Sequence, residues 1–319
     1  MNFLDTILTP FTYVVSWILW AFHELFTLIG MDESSGVTWT LSIIFLVLLI
    51  RTALIPVFVK QIKAQRAMQA LQPDLRKLQA KYKGKTDQMS RQAMVQEQQA
   101  LFKKHKTNPF SSCLPLLVQM PFFFALFRVL NTAATASNEG RGIGALSADH
   151  IKSFDNSTIF GAPLSETFLG TINSGSVNIA VIIVAIIMIL AMTASQFITQ
   201  RQLMTKNMTK EALEGPFMQQ QKMMLYILPL VFGIGGINFP IGVLIYWTAS
   251  NLWTLGQQFW VIRNNPTPGS EAERDLNRRR AEKGLPPVGQ KKVEAAETTV
   301  IEPKGQRQQP QRKNRRKKK

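Results

Sequence analysis

The sequence predicts an all-α polytopic membrane protein: a five-helix transmembrane core, a cytoplasmic helical hairpin and an N-terminal amphipathic helix. Two observations predict that class. Hydrophobic residues make up 46% of the 319-residue chain, yet mean hydropathy is only +0.02, because apolar blocks of spanning length alternate with very polar segments. Such segregation marks a chain that crosses a bilayer repeatedly, not a soluble globule with one core. The net charge of +17 is also unevenly placed. Residues 60–107 carry twelve Lys or Arg against three acids, whereas residues 137–176 carry two bases against four acids. The positive-inside rule puts the first segment in the cytoplasm and the second outside.

The N-terminus, MNFLDTILTP, lacks the basic region of a secretory signal, so the mature chain is expected to begin at or near Met1. Within residues 7–29, Thr12, Ser16, His23, Glu24 and Thr27 fall on one helical side, with Val14, Ile18, Phe22 and Leu25 on the other. With Trp17 and Trp20, that moment suits a helix lying in the membrane interface, although its length also permits a span. Residues 1–36 form this N-terminal unit.

The first core span, residues 37–59, reads VTWTLSIIFLVLLIRTALIPVFV and contains one charge, Arg51. At ~1.5 Å per residue Arg51 lies roughly 12 Å inside the run. A guanidinium there costs ~2.5–3.5 kcal/mol, while each Leu, Ile, Phe or Val returns ~0.3–0.6. The helix inserts nonetheless, at a cost it could have avoided.

Residues 60–107 then form the hairpin. Leu71, Leu75, Leu78 and Tyr82 recur at helical spacing, Lys83-Gly84-Lys85 breaks the pattern, and residues 88–104 form a second helix. The second span, 109–132, carries Pro109, Pro115 and Pro121 and the polar Gln119; neighbours in a membrane re-satisfy the carbonyls that prolines free. An external loop, 133–176, leads to the third span, 177–199, with Thr193, Ser195 and Gln196 near its cytoplasmic end. The fourth and fifth spans, 219–236 and 240–262, are joined by a turn at GIGGINFP. The fifth holds Tyr246, Trp247, Thr248, Ser250 and Asn251, which is wetter than a purely structural helix requires. Residues 263–319 have seventeen bases against seven acids and few large apolar groups, and are expected to be a disordered basic tail.

The chemistry available is limited. The one cysteine, Cys113, excludes an internal disulfide. His23, His105 and His150 are too far apart in sequence for zinc-type spacing, so no metal or other cofactor is expected. There is no Walker-type loop, HExxH or GxSxG, and the core spans lack a serine–histidine or paired-aspartate set, so no enzyme activity is expected. No Asp or Glu lies in the five spans, which leaves Arg51 without an intramembrane partner. A snorkelling anchor in an intact leaflet would fall several ångströms short of water. The alternative is a hydrated cavity open to the cytoplasm, lined by Arg51, Gln119, Gln196, Tyr246, Trp247, Ser250 and Asn251. A positive unpaired site attracts anionic groups and fits a small-anion transporter as well as a polypeptide receptor. Missing repeats and the lack of paired broken helices argue against the transporter. The basic tail suits RNA phosphates or anionic lipids, and without interleaved aromatics it favours backbone over base contacts.

Several motifs sharpen the choice. Arg51 in the first span, Leu71-Gln72-Pro73 and Lys81-Tyr82 in the hairpin, and Asn108-Pro109, Cys113-Leu114-Pro115 and Gln119-Met120-Pro121 in the second span occur in order. They are followed by residues 219–224 (QQQKMM), Pro240, Gly242, Tyr246-Trp247, Ser250-Asn251 and Gln257-Gln258. This set, over residues 37–263, resembles the YidC/Oxa/Alb membrane protein insertases. Ser111-Ser112 departs from the glycines often found before that cysteine. The resemblance implies five core spans, an amphipathic external helix before them, a hydrophilic groove carrying the arginine, and a mobile hairpin. It also implies a tail that meets the ribosome. Only residues 30–36 separate the N-terminal helix from the first core span, so the large external domain of Gram-negative relatives is missing, which suggests the Gram-positive type. The expected partners are nascent membrane proteins, the ribosome, anionic lipids and, as a further candidate, a Sec-type translocon. The expected state is a monomer in the bacterial plasma membrane, with hairpin and tail in the cytoplasm.

Overall fold

The computed structural model describes residues 3–105, 114–209 and 216–288. Helices dominate: α1 (Phe3–Leu28), α2 (Gly36–Ala53), α3 (Ile55–Ala70), α4 (Gln72–Tyr82), α5 (Gln88–Lys104), α6 (Leu114–Asn131), α7 (Ala133–Asn138), α8 (Ala148–Asn156), α9 (Phe168–Asn173), α10 (Ile179–Asn207), α11 (Pro216–Gly236), α12 (Ile241–Asn264) and α13 (Glu271–Ala281). A two-residue hairpin pairs β1 (Thr158–Ile159) with β2 (Ala162–Pro163). Among the described residues, three helices are long and apolar enough to cross a membrane: Thr6–Leu28, Gly36–Ala53 and Ile179–Asn207. Leu117–Asn131 and Leu225–Gly236 are shorter apolar helices. Ile183, Ile186, Ile187 and Leu190 on α10, and Ile227, Leu230, Val231 and Ile234 on α11, are exposed, as an apolar solvent requires.

The continuous span expected over residues 37–59 is broken. Helix α2 ends at Ala53, Leu54 is a turn, and α3 starts at Ile55 with Pro56 in its first turn. Pro56 has no N–H to return to Thr52, so the helical ladder is interrupted there. Arg51 therefore lies in the last turn of α2 and not midway along an unbroken helix.

The buried core occupies one half of the bundle. It takes Trp39, Ile43 and Leu46 of α2, Leu126 and Leu130 of α6, Val181 and Ala185 of α10, and Ile241 and Leu244 of α12. Residues 133–176 close over this end as an ordered cap and contribute Ile151, Phe154 and Leu164. Trp39 Nε1–H donates to Ser153 Oγ (3.1 Å), and Ser153 donates to the Glu33 carbonyl (2.8 Å). The first turn of α12 is capped by backbone bonds, Ile241 N–H to Glu166 O (3.0 Å) and Gly242 N–H to Leu164 O (2.9 Å). Gly36 lies so close to the β1 backbone that a Cβ there would meet Thr158 O at 2.0 Å.

Helix α1 turns its polar stripe inward. Thr12, Ser16 and His23 are buried, while Tyr13, Val14, Trp17 and Leu25 are exposed. Ser16 Oγ accepts from Ala145 N–H (2.9 Å). Thr9 and Thr12 share a cavity of about 230 Å³ with Arg128, Thr132 and residues 141–144, and Phe11 reaches Phe122 (5.4 Å between centroids). Further along, Phe22 and Phe26 pack on Phe45, and His23 stacks on Trp39 (3.9 Å). Arg128 lies in the last turn of α6 with Thr132 just after it, and Trp39 lies in the first turn of α2, so both halves of α1 are held at the capped end. The histidines also correct the expectation drawn from their spacing: His23 and His150 face each other with centroids 5.9 Å apart, because the cap folds back onto α1.

At the other end, α4 and α5 form an antiparallel pair turned at Gly84, whose φ of +84° suits glycine. Lys81 Nζ (2.5 Å) and the Tyr82 hydroxyl (2.8 Å) both donate to Glu97. Leu71 and Leu75 are buried. The tail is not disordered from its start, as its composition suggested. Residues 263–288 fold back, with α13 capped by Ser270 accepting from Glu273 N–H (3.3 Å). Thr267 N–H donates to Asn207 Oδ1 (2.8 Å), and Lys206 pairs with Glu271. Small residues (Thr267, Ser270, Ala272) are buried here instead of large apolar ones, so a composition test misses the contact. Residues 289–319, Pro109 and Cys113 lie outside the described residues.

Candidate functional site

Around Ile50 and Tyr246, at the edge of the main buried cluster, the helices carry polar groups as well. Arg51 is half-buried, and its Nε is buried without a hydrogen-bond partner. Its guanidinium carbon is 5.6 Å from the Phe58 ring centroid, a cation–π contact made possible by the turn at Leu54. No carboxylate pairs with it among the described residues, and α2, α6, α10, α11 and α12 contain no Asp or Glu. Tyr246 of α12 is 4% exposed and near enough for its hydroxyl to interact electrostatically with Arg51. Gln119 of α6 donates from Nε2 to that hydroxyl at 3.0 Å, leaving Gln119 Oε1 buried and unpartnered. Three helices thus converge on one polar point.

Ser250, one turn beyond Tyr246, is buried on the same stripe of α12. Asn251 and Gln196 belong to a second flank, where α10 and α12 make the most extensive helix contact among the described residues. Asn251 Nδ2 donates to the Met192 carbonyl (3.5 Å), and Gln196 follows Met192 by one turn. The Gln196 Oε1, Thr193 Oγ1 and Thr248 Oγ1 atoms are buried without partners. Buried polar groups in a dry interior are normally satisfied, because each orphan costs about 1–3 kcal/mol. Several together, with a guanidinium among them, describe a surface built to be wetted. Trp247 stands apart. It packs against Phe123 (5.2 Å), Phe232 (4.8 Å) and Phe239 (5.5 Å), an aromatic cluster that stiffens the junction of α6, α11 and α12.

Sequence reasoning missed a cleft of about 740 Å³ between α3 and α12. Ile55, Phe58 and Ile62 line one wall, Trp253, Gly256 and Trp260 the other, and Lys63, Arg66 and Gln257 add polar edges. Phe58 both lines this cleft and covers Arg51, so the arginine sits behind its inner wall. The signal was present: Ile55, Phe58, Val59 and Ile62 form a helical face that continues past the end of the apolar run at Val59. Arg66 donates to the Asn265 carbonyl and ties the far end of α3 to α12.

The family model for the 60Kd inner membrane protein matches residues 30–268. A protein of Streptomyces avermitilis named Membrane protein insertase YidC is 49% identical over 85% of this chain and 62% of its own length. A protein of the same name from Tropheryma whipplei strain Twist is 42% identical over 98% of this chain and 97% of its own. The Bifidobacterium longum protein of that name is 35% identical over 99% and 96%. This chain therefore spans under two thirds of the Streptomyces relative and nearly all of the other two. A solved structure entitled "Active YidC insertase crystal structure with the first transmembrane domain resolved" aligns with a TM-score of 0.45 and 21% identity, over 82% of this chain and 47% of that one.

Proposed function

The chain belongs to the 60Kd inner membrane protein family, and on that premise we propose that it is a membrane protein insertase and chaperone of the bacterial plasma membrane. The observation that carries the reading is Arg51, a charge with no carboxylate partner among the described residues, set among unpartnered polar atoms behind the α3–α12 cleft. The basic hairpin and α13 face the cytoplasm and the cap faces outward, as the distribution of Lys and Arg favours. Helices α2, α6, α10, α11 and α12 are the five core spans. Helix α1 lies at the outer interface, which its anchorage to the cap along both halves supports. Its exposed Tyr13, Trp17 and Leu25 then face lipid.

Insertion needs no covalent step. A short external segment of the substrate, often acidic, enters the cleft from the cytoplasm. A carboxylate within ~4 Å of Arg51 gains about 4 kcal/mol at an effective dielectric of ~20. Water around Gln119, Gln196, Ser250 and Asn251 halves the apolar distance the segment must cross. The substrate's apolar helix then leaves along α10 and α12 into lipid; about ten Leu-like residues return ~3–6 kcal/mol and drive the exchange. The hairpin captures the nascent chain, and the basic residues beyond 288 hold the ribosome or anionic lipid. A Sec-type translocon remains a candidate partner, and the chain works as a monomer.

Insertion of an acidic-tailed substrate into proteoliposomes tests the charge. Arg51→Ala should lower the rate by roughly 10²-fold, the equivalent of ~3 kcal/mol, and Arg51→Lys should keep most of it if charge, not bidentate geometry, is used. Unchanged insertion by Arg51→Ala would sink the role.

A further inference from the structure

We propose that His23, Glu24 and His150 form a binding site for a divalent transition-metal ion of the zinc type, which clasps α1 to the cap. One donor atom from each residue lies within 4.8 Å of the other two. Tetrahedral zinc, with Zn–N near ~2.0–2.1 Å, places its ligands about 3.4 Å apart, so small rotations bring these donors into register.

The hydrogen bonds leave a lone pair free on His23 and let His150 exchange a proton for an ion. His23 is fully buried and stacked on Trp39. Its Nε2–H donates to the Glu33 carbonyl at 3.0 Å, which fixes the neutral tautomer with its lone pair on Nδ1. That Nδ1 is buried and has no partner. A carbonyl on the far ring nitrogen is the usual device for orienting a metal-bound histidine. His150 places Nε2 2.8 Å from Glu24 Oε1 and Nδ1 2.6 Å from Ser147 Oγ. The Ser147 hydroxyl donates or accepts as needed, so His150 can shift its proton to Nδ1 and present Nε2 to an ion, which then takes the place of the Nε2–H bond to Glu24. Glu24 is 47% exposed and opens the site to solvent, giving an entry path and room for a water as fourth ligand. Two imidazoles and one carboxylate match zinc and its neighbours rather than magnesium or calcium, which prefer all-oxygen shells. The ligands come from a helix and a cap segment 126 residues away, so the ion would close a long loop.

The test uses the full chain in detergent, free of any affinity tag and stripped with chelator. Zn²⁺ is counted by elemental analysis after dialysis, and Co²⁺ is titrated to read the visible bands of a tetrahedral N/O site. One ion per chain is expected. His150→Gln should weaken binding by about 10²-fold and Glu24→Gln by about tenfold, in the range set by losing a ligand or its orienting group, while His105→Ala should change nothing. Binding should weaken on acidification, because protons compete with the ion for the ligand lone pairs. In wild type, Zn²⁺ should slow amide exchange over residues 20–28, and Glu24→Gln should need about tenfold more Zn²⁺ for the same slowing. The proposal is overturned if no ion is retained, or if both variants keep the stoichiometry and affinity of wild type, which would leave a hydrogen-bonded triad only. Either result is independent of Arg51 and insertion.

Discussion

At the scale of single residues, the molecule is governed by where atoms have no room and where polar atoms have no partner. Gly36 illustrates the first: a methyl group there would overlap the Thr158 carbonyl at 2.0 Å, and backbone cannot give way as a side chain can. Gly36→Ala should destabilise the cap by at least ~1–3 kcal/mol, the usual range for overpacking, read as a lower Tm in detergent; an unchanged Tm would mean that the β1 segment is free to move. Arg51 Nε and Gln119 Oε1 illustrate the second, and with Tyr246 these residues were readable from the sequence because a polar group in an apolar run has a cost that composition exposes. Their meeting at one point was not readable, since it depends on three helices converging. The His23–His150 pair was hidden for the same reason: spacing along the chain says nothing about two segments joined by a folded cap.

Elements show a similar division between what local pattern decides and what packing decides. The second hairpin helix, residues 88–104, follows directly from its capping Asp87, which accepts from Ser90 N–H at 2.8 Å, and from the glycine turn before it. The break at Leu54 was obscured because hydropathy runs straight through Pro56. Helix α13 was missed because a highly charged segment was judged by its lack of large apolar groups, although its capping Ser270 and Glu273 stand in plain view. The hairpin carries its own pH dependence. Lys81 and Tyr82 hold the Glu97 carboxyl below its ordinary range by hydrogen bonding. A group depressed in the folded state contributes stability above its unfolded value, ~4.3, and loses it as pH falls through the folded value. Spin-label distances between positions 80 and 96 should therefore broaden below about pH 4 and sharpen again on neutralisation. Glu97→Gln should be broad at pH 7 and insensitive to acid; a sharp distribution in that variant would assign the hairpin's order to α3 and α4 instead.

For the whole molecule, the uneven charge and the uneven core belong together. Residues 289–319 carry eleven bases against three acids, and they lie beyond α13, whose docking on α10 and α12 fixes where they leave the bundle. A chain truncated after Val288 should keep Arg51-dependent insertion into proteoliposomes. It should lose salt-sensitive co-sedimentation with ribosomes, since that binding is a phosphate–cation effect that falls steeply with ionic strength. Loss of both activities would make the molecule a tether rather than an insertase.

The crowding of buried side chains into the capped half has a mechanical consequence. Interiors packed near crystal density resist deformation and pass strain on, so the end closed by Trp39, Phe154 and Leu164 behaves as the rigid root of a tuning fork. The α3 and α12 walls are its prongs, joined at the far end by little more than Arg66 on the Asn265 carbonyl. Prying those prongs apart for a guest helix breaks few apolar contacts. Compliance is therefore confined to the half that carries the cleft, and the walls can part there without disturbing the buried core.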